Sequence, residues 1–401
     1  MRITEIRLTN IRLFKSLVLP VALKSKQKPR MRTLFIGQNG TCKSTLLRCL
    51  AIGLTASQSD RVALLEQLGS SLVGPDGDVG VIELTLASDG QGGDVATRTI
   101  RTEVRKGETS QSGFETTEPA PVAVFGYGPG RQSSGSVKPG SSSATACRTL
   151  FRFDERLVDP ELALRRLRDF LGTAKYAATM TGIKRAVGLN KSDEIIVERG
   201  GGVVLKTKRG TFPLTVLADG HRVPFGFALD LYHSALQAGA VTKTGGIRGV
   251  LLLDEIEQHL HPSLQVGVLR RFSRLWPELQ LFATTHSPLV TLGAKSNEVV
   301  SLKRHGASVK AIWPAPNFAH YSADDMLESP QLFDTVATSS EQATTVGDYQ
   351  KLAAMPAEKR TAAQTAKLRN LAAKQSQGQV SAKPAAEWDD LLAKFREKFQ
   401  L

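Results

Sequence analysis

The stretch Thr33–Leu54, TLFIGQNGTCKSTLLRCLAIGL, leaves few folds open, because a short apolar run passes through a glycine-containing loop straight into a helical pattern. TLFIGQN has the look of a buried strand, and KSTLLRCLAIGLTA sets Leu46, Leu47, Leu50 and Leu54 on one helical side. A loop so placed matches G-x-x-x-x-G-K-[ST], in which successive backbone N–H groups surround an anion at the positive end of a helix. The candidate nucleotide-binding run is Gly37, Gln38, Asn39, Gly40, Thr41, Cys42, Lys43, Ser44 and Thr45. Lys43 is placed to bridge the β- and γ-phosphates, and Ser44 to hold magnesium through its hydroxyl. Gly37 and Gly40 allow the tight turn, and Asn39 is placed to tie the loop internally. Cys42 stands where the pattern has its second glycine. If the backbone there requires φ > 0, a residue with a Cβ costs on the order of 1–2 kcal/mol.

Two later segments have the character of partners for this loop. In GVLLLDEIEQHLHPSLQ the apolar residues Val250 to Leu253 run into Asp254 and Glu255. An aspartate at the carboxyl end of such a strand can hold Mg²⁺, and the adjacent glutamate can polarise an attacking water. The alternative is a surface acidic pair after a core strand. Thirty-one residues beyond Glu255, LFATTHSPLV places His286 just past another apolar strand, within reach of a γ-phosphate if the strands are neighbours. His259-x-His261 invites a metal reading, which the resemblance described below makes unnecessary.

The rest of the chain reads as α/β. RITEIRLTNIRLF alternates like a strand, residues 81–120 like antiparallel hairpins, and PVAVFGYG like another buried strand. GPGRQSSGSVKPGSSSATAC is a Gly/Ser/Pro-rich surface loop, residues 150–190 are helical, and EIIVERGGGVVLKTKRGTFPL is a hairpin. A helix at about 220–238, the strand GVLLLDE, the helix PSLQVGVLRRFSRLW and the strand LQLFATTHS follow. Beyond about residue 323 the composition turns to Ala, Lys and Gln, an exposed helical segment. The last piece has Trp388, Leu391, Leu392, Phe395 and Phe399 at the spacing of an amphipathic helix.

No apolar run approaches the ~18 residues of a membrane span, and the N-terminus lacks a signal-peptide pattern. Cys42, Cys49 and Cys147 form neither a disulfide framework nor a zinc spacing, so a reducing cytoplasm is the expected location. The net charge of +14 bears on partners: residues 1–32 carry nine Lys/Arg against Glu5, and LALRRLRDFLGTAKYAATMTGIKR adds a second cluster. Such a surface suits nucleic acid, although a solubilising surface or an acidic protein partner is compatible with it.

Together GQNGTCKST, LLLDEIEQHLHP and TTHSPLV, in that order, resemble the ABC-type ATPases of the RecF/SMC-like branch, which includes the OLD ATPases and anti-phage defence ATPases. The resemblance implies that these are Walker A, Walker B with its D-loop, and the switch histidine. ATP and Mg²⁺ are then the cofactors, Ser44 and Asp254 the metal contacts, and Glu255 and His286 the catalytic residues. It also implies a signature motif before Walker B, matched by Leu217-Ala218-Asp219-Gly220-His221-Arg222, with Ala218, Asp219, Gly220 and His221 contacting nucleotide held by another protomer. Ala218 replaces the family's usual serine. Cys42 and Ala218 together point to nucleotide binding with slow hydrolysis, the alternative being neutral variation. Candidates for a magnesium-touching Q-loop are Tyr127, Arg131 and Gln132. Arg12 in TNIRLF matches an N-terminal Asn-aromatic-Arg pattern only loosely, because Ile11 takes the aromatic's place.

The implied fold is an ABC-type ATPase head with a mixed central sheet, an antiparallel β subdomain, an inserted helical lobe and a helical C-terminal tail. Its expected divisions are residues 1–149 with Walker A and the β subdomain, 150–218 leading to the signature, 219–322 with Walker B and the switch histidine, and a tail at 323–401. Only about 170 residues separate Walker A from the signature, too few for a long coiled-coil arm. The roughly 95 residues after the switch lack the strands and spaced acids of a Toprim nuclease, Asp324-Asp325 and Asp389-Asp390 reading as solvated helix residues. YSADDMLESPQLFDTVATSS resembles a post-switch stretch of stand-alone defence ATPases such as that of the Septu system. The expectation is a homodimer or higher homo-oligomer, joined through its ATP sites, that controls a separately encoded effector, a nuclease, without a membrane partner. The alternative is a RecF-like DNA-repair ATPase acting on DNA directly.

Overall fold

The computed structural model describes residues 1–22, 29–68, 72–88, 96–106, 114–116, 122–131, 146–190, 192–198, 202–214, 219–314, 320–335, 348–349, 351–356 and 360–378. They fall in two compact units, Met1–Thr335 and Val336–Leu401. In the second unit the main described element is the helix Ala362–Gly378. The Gly/Ser loop at 132–145, Gln132, Ala218, Asp389-Asp390 and the amphipathic piece around Trp388 lie outside the described residues.

In the first unit the strands are β1 (Arg2–Ile11), β2 (Phe14–Pro20), β3 (Arg32–Ile36), β4 (Val79–Ala87), β5 (Thr97–Arg105), β6 (Phe114–Thr116) and β7 (Val124–Tyr127). They continue with β8 (Glu194–Val197), β9 (Val203–Thr207), β10 (Gly210–Pro213), β11 (Gly249–Leu253), β12 (Leu279–Thr284), β13 (Val299–His305) and β14 (Ser308–Ile312). The central sheet is mixed, in the order β14-β13-β3-β12-β11-β7; all neighbours are parallel except the edge pair β13–β14. A second, antiparallel sheet has the order β2-β1-β4-β5-β6. This is the α/β architecture with an antiparallel β subdomain that the sequence led us to expect.

The apolar runs become intelligible once both faces of the central sheet are seen to be covered. Along β11, Val250 and Leu252 enter one core cluster and Leu251 and Leu253 the other, as the two-residue period of a strand requires. The helix Lys43–Leu54 lies between the two sheets. Its Leu46, Leu47, Leu50 and Leu54 share a cluster with Ile6 and Leu8 of β1 and with Val250 and Phe282 of the central sheet. Gly53 permits that approach, since a Cβ there would lie 2.8 Å from the Leu84 side chain. On the opposite face the helices Pro160–Ala186, Asp219–Gln237 and Val268–Leu275 contribute Leu164, Phe227 and Phe272 to a core with Leu34, Ile36 and Phe125.

Three local expectations are corrected. The helix over 150–190 is broken at Gly172, whose φ of 70° and ψ of 170° only glycine adopts readily. The hairpin at 194–214 is a three-stranded meander, β10-β9-β8, because Lys208-Arg209 turn the chain back and Gly210, at φ 134°, starts a further strand. PSLQVGVLRRFSRLW forms two helices, Pro262–Gln265 and Val268–Leu275, divided at Gly267. Among the described residues no helix is long and apolar enough to cross a membrane.

Candidate nucleotide-binding and catalytic site

Parallel pairing decides where the motifs meet. β3, β12 and β11 are consecutive and point the same way, so the chain leaves all three at one edge of the sheet. Gly37 follows β3, Asp254 follows β11, and Thr285 and His286 follow β12. A cavity of about 670 Å³ at this edge is lined by Asn39 to Thr45 together with Asp254, Glu255 and His286. Carboxyl edges of parallel sheets are where ligands bind in open α/β folds.

The loop has the conformation its pattern demands. Gly37 and Gly40 have φ of 151° and 79°, and the Thr41 hydroxyl donates to the Gln38 carbonyl at 2.8 Å. A Cβ at Gly37 would lie 2.4 Å from the Leu302 carbonyl oxygen, whereas one at Gly40 would meet nothing within 4 Å. Cys42 sits at φ 61° and ψ 27°, in the left-handed region, as N-cap of the following helix with no side-chain capping bond. The glycine-type backbone is therefore retained by a residue that bears a Cβ.

Lys43 is buried, and its Nζ donates to the carbonyls of Gly37 and Gln38 at 2.8 and 2.9 Å. Burial pushes its pKa down to about 8, against the pull of Asp254, Glu255 and Glu257. Anionic ligand oxygens in the cavity would raise it again. The oxygen donors Ser44 and Asp254 both line this cavity, so the residues fit Mg²⁺, which takes hard oxygen ligands and retains waters.

The acidic residues are held by the end of β12 and the residues that follow it. The Thr284 hydroxyl donates to Asp254 Oδ1 at 2.5 Å and accepts the Glu255 N–H at 2.8 Å. Thr285 Oγ1 and the His286 N–H donate to the two oxygens of Glu257, at 2.6 and 2.7 Å. Glu255 has φ 46°, and its Oε2 accepts from Gln258 Nε2 at 2.6 Å. A left-handed glutamate facing a cavity is the kind of stored strain that clusters at functional sites. His286 is half-buried, and burial together with nearby Lys43 lowers its pKa, which favours the neutral imidazole.

Other expectations fare differently. Tyr127 is a core residue whose hydroxyl donates to Asp230 Oδ2 at 2.8 Å. Arg131 is buried behind the acidic pair, where Nη2 donates to the carbonyls of Asp254 and Glu255 at 2.5 and 2.6 Å. Neither of these two Q-loop candidates lines the cavity. Arg12 does line it, with Nη1 donating to Thr45 Oγ1 at 3.2 Å. Gly220 and His221 do not line it: a Cβ on Gly220 would lie 3.6 Å from the His259 carbonyl oxygen, and His221 Nδ1 lies 3.1 Å from the Val187 carbonyl. Asp219 is placed only as the first residue of its helix. His261 Nδ1 caps the helix Pro262–Gln265 by accepting the Ser263 N–H. Asp324 and Asp325 are exposed on the helix Ala323–Glu328, where Asp325 and Ser322 form a capping box. Sequence reasoning missed Thr284, Thr285, Glu257 and the clamp made by Arg131. The TT before His286 was the visible signal for the first two.

Residues 148–292 match the family described as "AAA domain, putative AbiEii toxin, Type IV TA system". The Septu protein PtuA of Bacillus mycoides is 22% identical over 84% of this chain and 46% of its own length. The chain resembles the RecF/SMC-like ATPases of defence systems. Two shorter matches are the Retron Vc95 probable ATPase of Vibrio cholerae, 29% identical over 23% of this chain and 18% of that protein, and the Retron Ec83 probable ATPase of Escherichia coli, 40% identical over 16% and 11%. The chain thus spans less than half the length of the curated relatives it matches. Among solved structures, the SMC head domain from Thermotoga maritima covers 79% of this chain and 100% of that one, with a TM-score of 0.43 and 14% identity.

Proposed function

We propose that the protein binds ATP with Mg²⁺ at the carboxyl-edge cavity and hydrolyses it slowly, as a cytoplasmic homo-oligomer that controls a separately encoded nuclease in defence against phage. One observation carries the reading: Lys43, Ser44, Asp254, Glu255 and His286, from three distant segments, line a single cavity. Loop residues 37–45 hold the triphosphate through backbone N–H groups, and Lys43 reaches the β- and γ-phosphates. Mg²⁺, when bound by Ser44 and Asp254, neutralises phosphate charge. Glu255 accepts a proton from the water that attacks the γ-phosphorus, and the bond to the ADP oxygen breaks to release ADP and phosphate. Neutral His286 donates a hydrogen bond to the γ-phosphate. Ala218, Asp219, Gly220 and His221 complete the site of another protomer, which agrees with the place of Gly220 and His221 outside the cavity of their own chain. Residues 1–149 and 219–322 form the two ATPase lobes, 150–218 the inserted lobe, and 323–401 the partner-contacting tail. The likeness to Septu and retron proteins supports an effector acting in trans.

The test combines two substitutions. Lys43→Ala abolishes binding of a fluorescent ATP analogue. Glu255→Gln retains binding, slows hydrolysis at least 100-fold and accumulates an ATP-bound dimer, read by light scattering. Hydrolysis by Glu255→Gln at the unaltered rate refutes the catalytic assignment. Failure of any neighbouring-gene nuclease to co-purify, with no protection against phage, removes the effector role and favours the RecF-like reading.

A further inference from the structure

The amino ends of β11 and β12 lie at the opposite edge of the central sheet from the nucleotide cavity, and two further cavities adjoin there. The first, of about 660 Å³, is lined by Arg185, Arg270, Arg271 and Arg274. The second, of about 940 Å³, shares Thr244 and Glu278 with the first and adds Arg2, Lys243 and Arg248. Among the described residues, seven basic side chains thus line the two adjoining cavities, and Glu278 is the one lining carboxylate. That carboxylate is already engaged, since its Oε2 accepts from Arg248 Nε at 2.6 Å.

This arrangement is costly for the protein alone. Arg270 and Arg271 are adjacent, and burial together with Arg270 lowers the Arg271 pKa. Among the described residues the buried Arg271 Nε has no hydrogen-bond partner, while its Nη2 donates to the Leu264 carbonyl. Gly267 makes room for the guanidinium, because a Cβ there would lie 2.9 Å from Arg271 Nη1. Like charges lining a concave surface focus a positive field, and an anion relieves their repulsion.

We propose that this double depression is a phosphodiester site that holds the backbone of duplex nucleic acid at the sheet edge opposite the nucleotide cavity. Guanidinium forks match phosphate oxygens in pairs. Tyr232, the aromatic residue among the described lining residues, is buried at 1% exposure, so the described lining presents no ring for stacking unpaired bases or anchoring a protein partner. Duplex is therefore favoured over single strands, and phosphate over acidic peptide. The site leaves the carboxyl edge free, so nucleotide and nucleic acid bind together.

The inference stands apart from the ATPase reading and is tested separately. Fluorescence anisotropy of the intact chain is followed with a labelled mixed-sequence duplex, the matching single strand and poly-glutamate, across a salt series. The duplex binds tightest, with log affinity falling linearly in log salt. Arg270→Ala/Arg274→Ala weakens duplex binding on the order of 100-fold and lessens the salt slope by about 2. Its thermal melt and its affinity for the ATP analogue are unchanged. Lys208→Ala/Arg209→Ala, which removes two exposed charges at the β9–β10 turn, keeps duplex binding within threefold. Equal losses from the two double variants would show a net-charge effect and overturn the site. Tighter binding of poly-glutamate or of the single strand overturns the assignment to duplex.

Discussion

Cys42 offers the sharpest test of how the loop is built. Its φ of 61° is one that glycine adopts freely and that costs a residue with a Cβ about 1–2 kcal/mol. Glycine gives back part of this through its greater unfolded-state freedom, about 0.5–1 kcal/mol, so the net relief is about 1 kcal/mol. Cys42 also packs its half-buried side chain against the core cluster shared by the two sheets. Cys42→Ala is therefore the proper reference, because it loses the sulfur contact but keeps the Cβ and the strain. Hydrogen–deuterium exchange of the amides of Lys43, Ser44 and Thr45, resolved by mass spectrometry, reports the local opening free energy. About 1 kcal/mol corresponds to exchange about fivefold slower in Cys42→Gly than in Cys42→Ala. A loop that keeps this conformation throughout is stabilised equally in its free and bound forms, so relieving the strain leaves affinity for the ATP analogue within about threefold. Equal exchange in the two variants would mean that the loop carries no strain at this position, and the argument would fail. A large gain in affinity confined to the glycine variant would show instead that the free loop relaxes elsewhere.

Two other expectations follow from the same site. Burial lowers the Lys43 pKa to about 8, so folding is disfavoured by its charged form below that pH and recovers as pH rises toward the unfolded value. Phosphate in the cavity raises the pKa again, so ATP binding takes up a proton above pH 8, and affinity falls by up to tenfold per pH unit there. Calorimetry in buffers of different ionisation enthalpy checks this, and a pH-independent affinity between 8 and 9.5 contradicts it. Thr284→Val keeps the shape but removes the hydroxyl that joins Asp254 to the Glu255 backbone. Hydrolysis is expected to fall about 10–100-fold with binding of the analogue largely retained. Unchanged turnover would show that Asp254 and Glu255 are placed without that hydroxyl.

Much of this molecule could be read from one dimension because its signals are local. A strand, a glycine turn and a helix start are each settled by a few neighbouring residues, so Gly37 to Thr45, the apolar run before Asp254 and the strand before His286 were all legible. So was the doubt over Cys42, since a φ > 0 position in the loop follows from the pattern alone. Breaks at Gly172 and Gly267 were less visible, because a lone glycine within a helical pattern is tolerated as often as it interrupts.

What the chain's letters could not convey was adjacency. Only the parallel order β3-β12-β11 puts residues 37–45, 254–255 and 284–286 at one edge, and nothing in the spacing of those segments encodes which strand lies between the others. The same holds for Arg131, a Q-loop candidate by its place in the sequence, which instead reaches the carbonyls of Asp254 and Glu255, 123 and 124 positions away. It holds too for the arginines of the opposite edge, scattered over four segments of the chain and joined only by packing. Backbone conformation is a short-range property of the sequence, whereas contacts among charges and hydroxyls depend on how whole elements bury their apolar faces against one another.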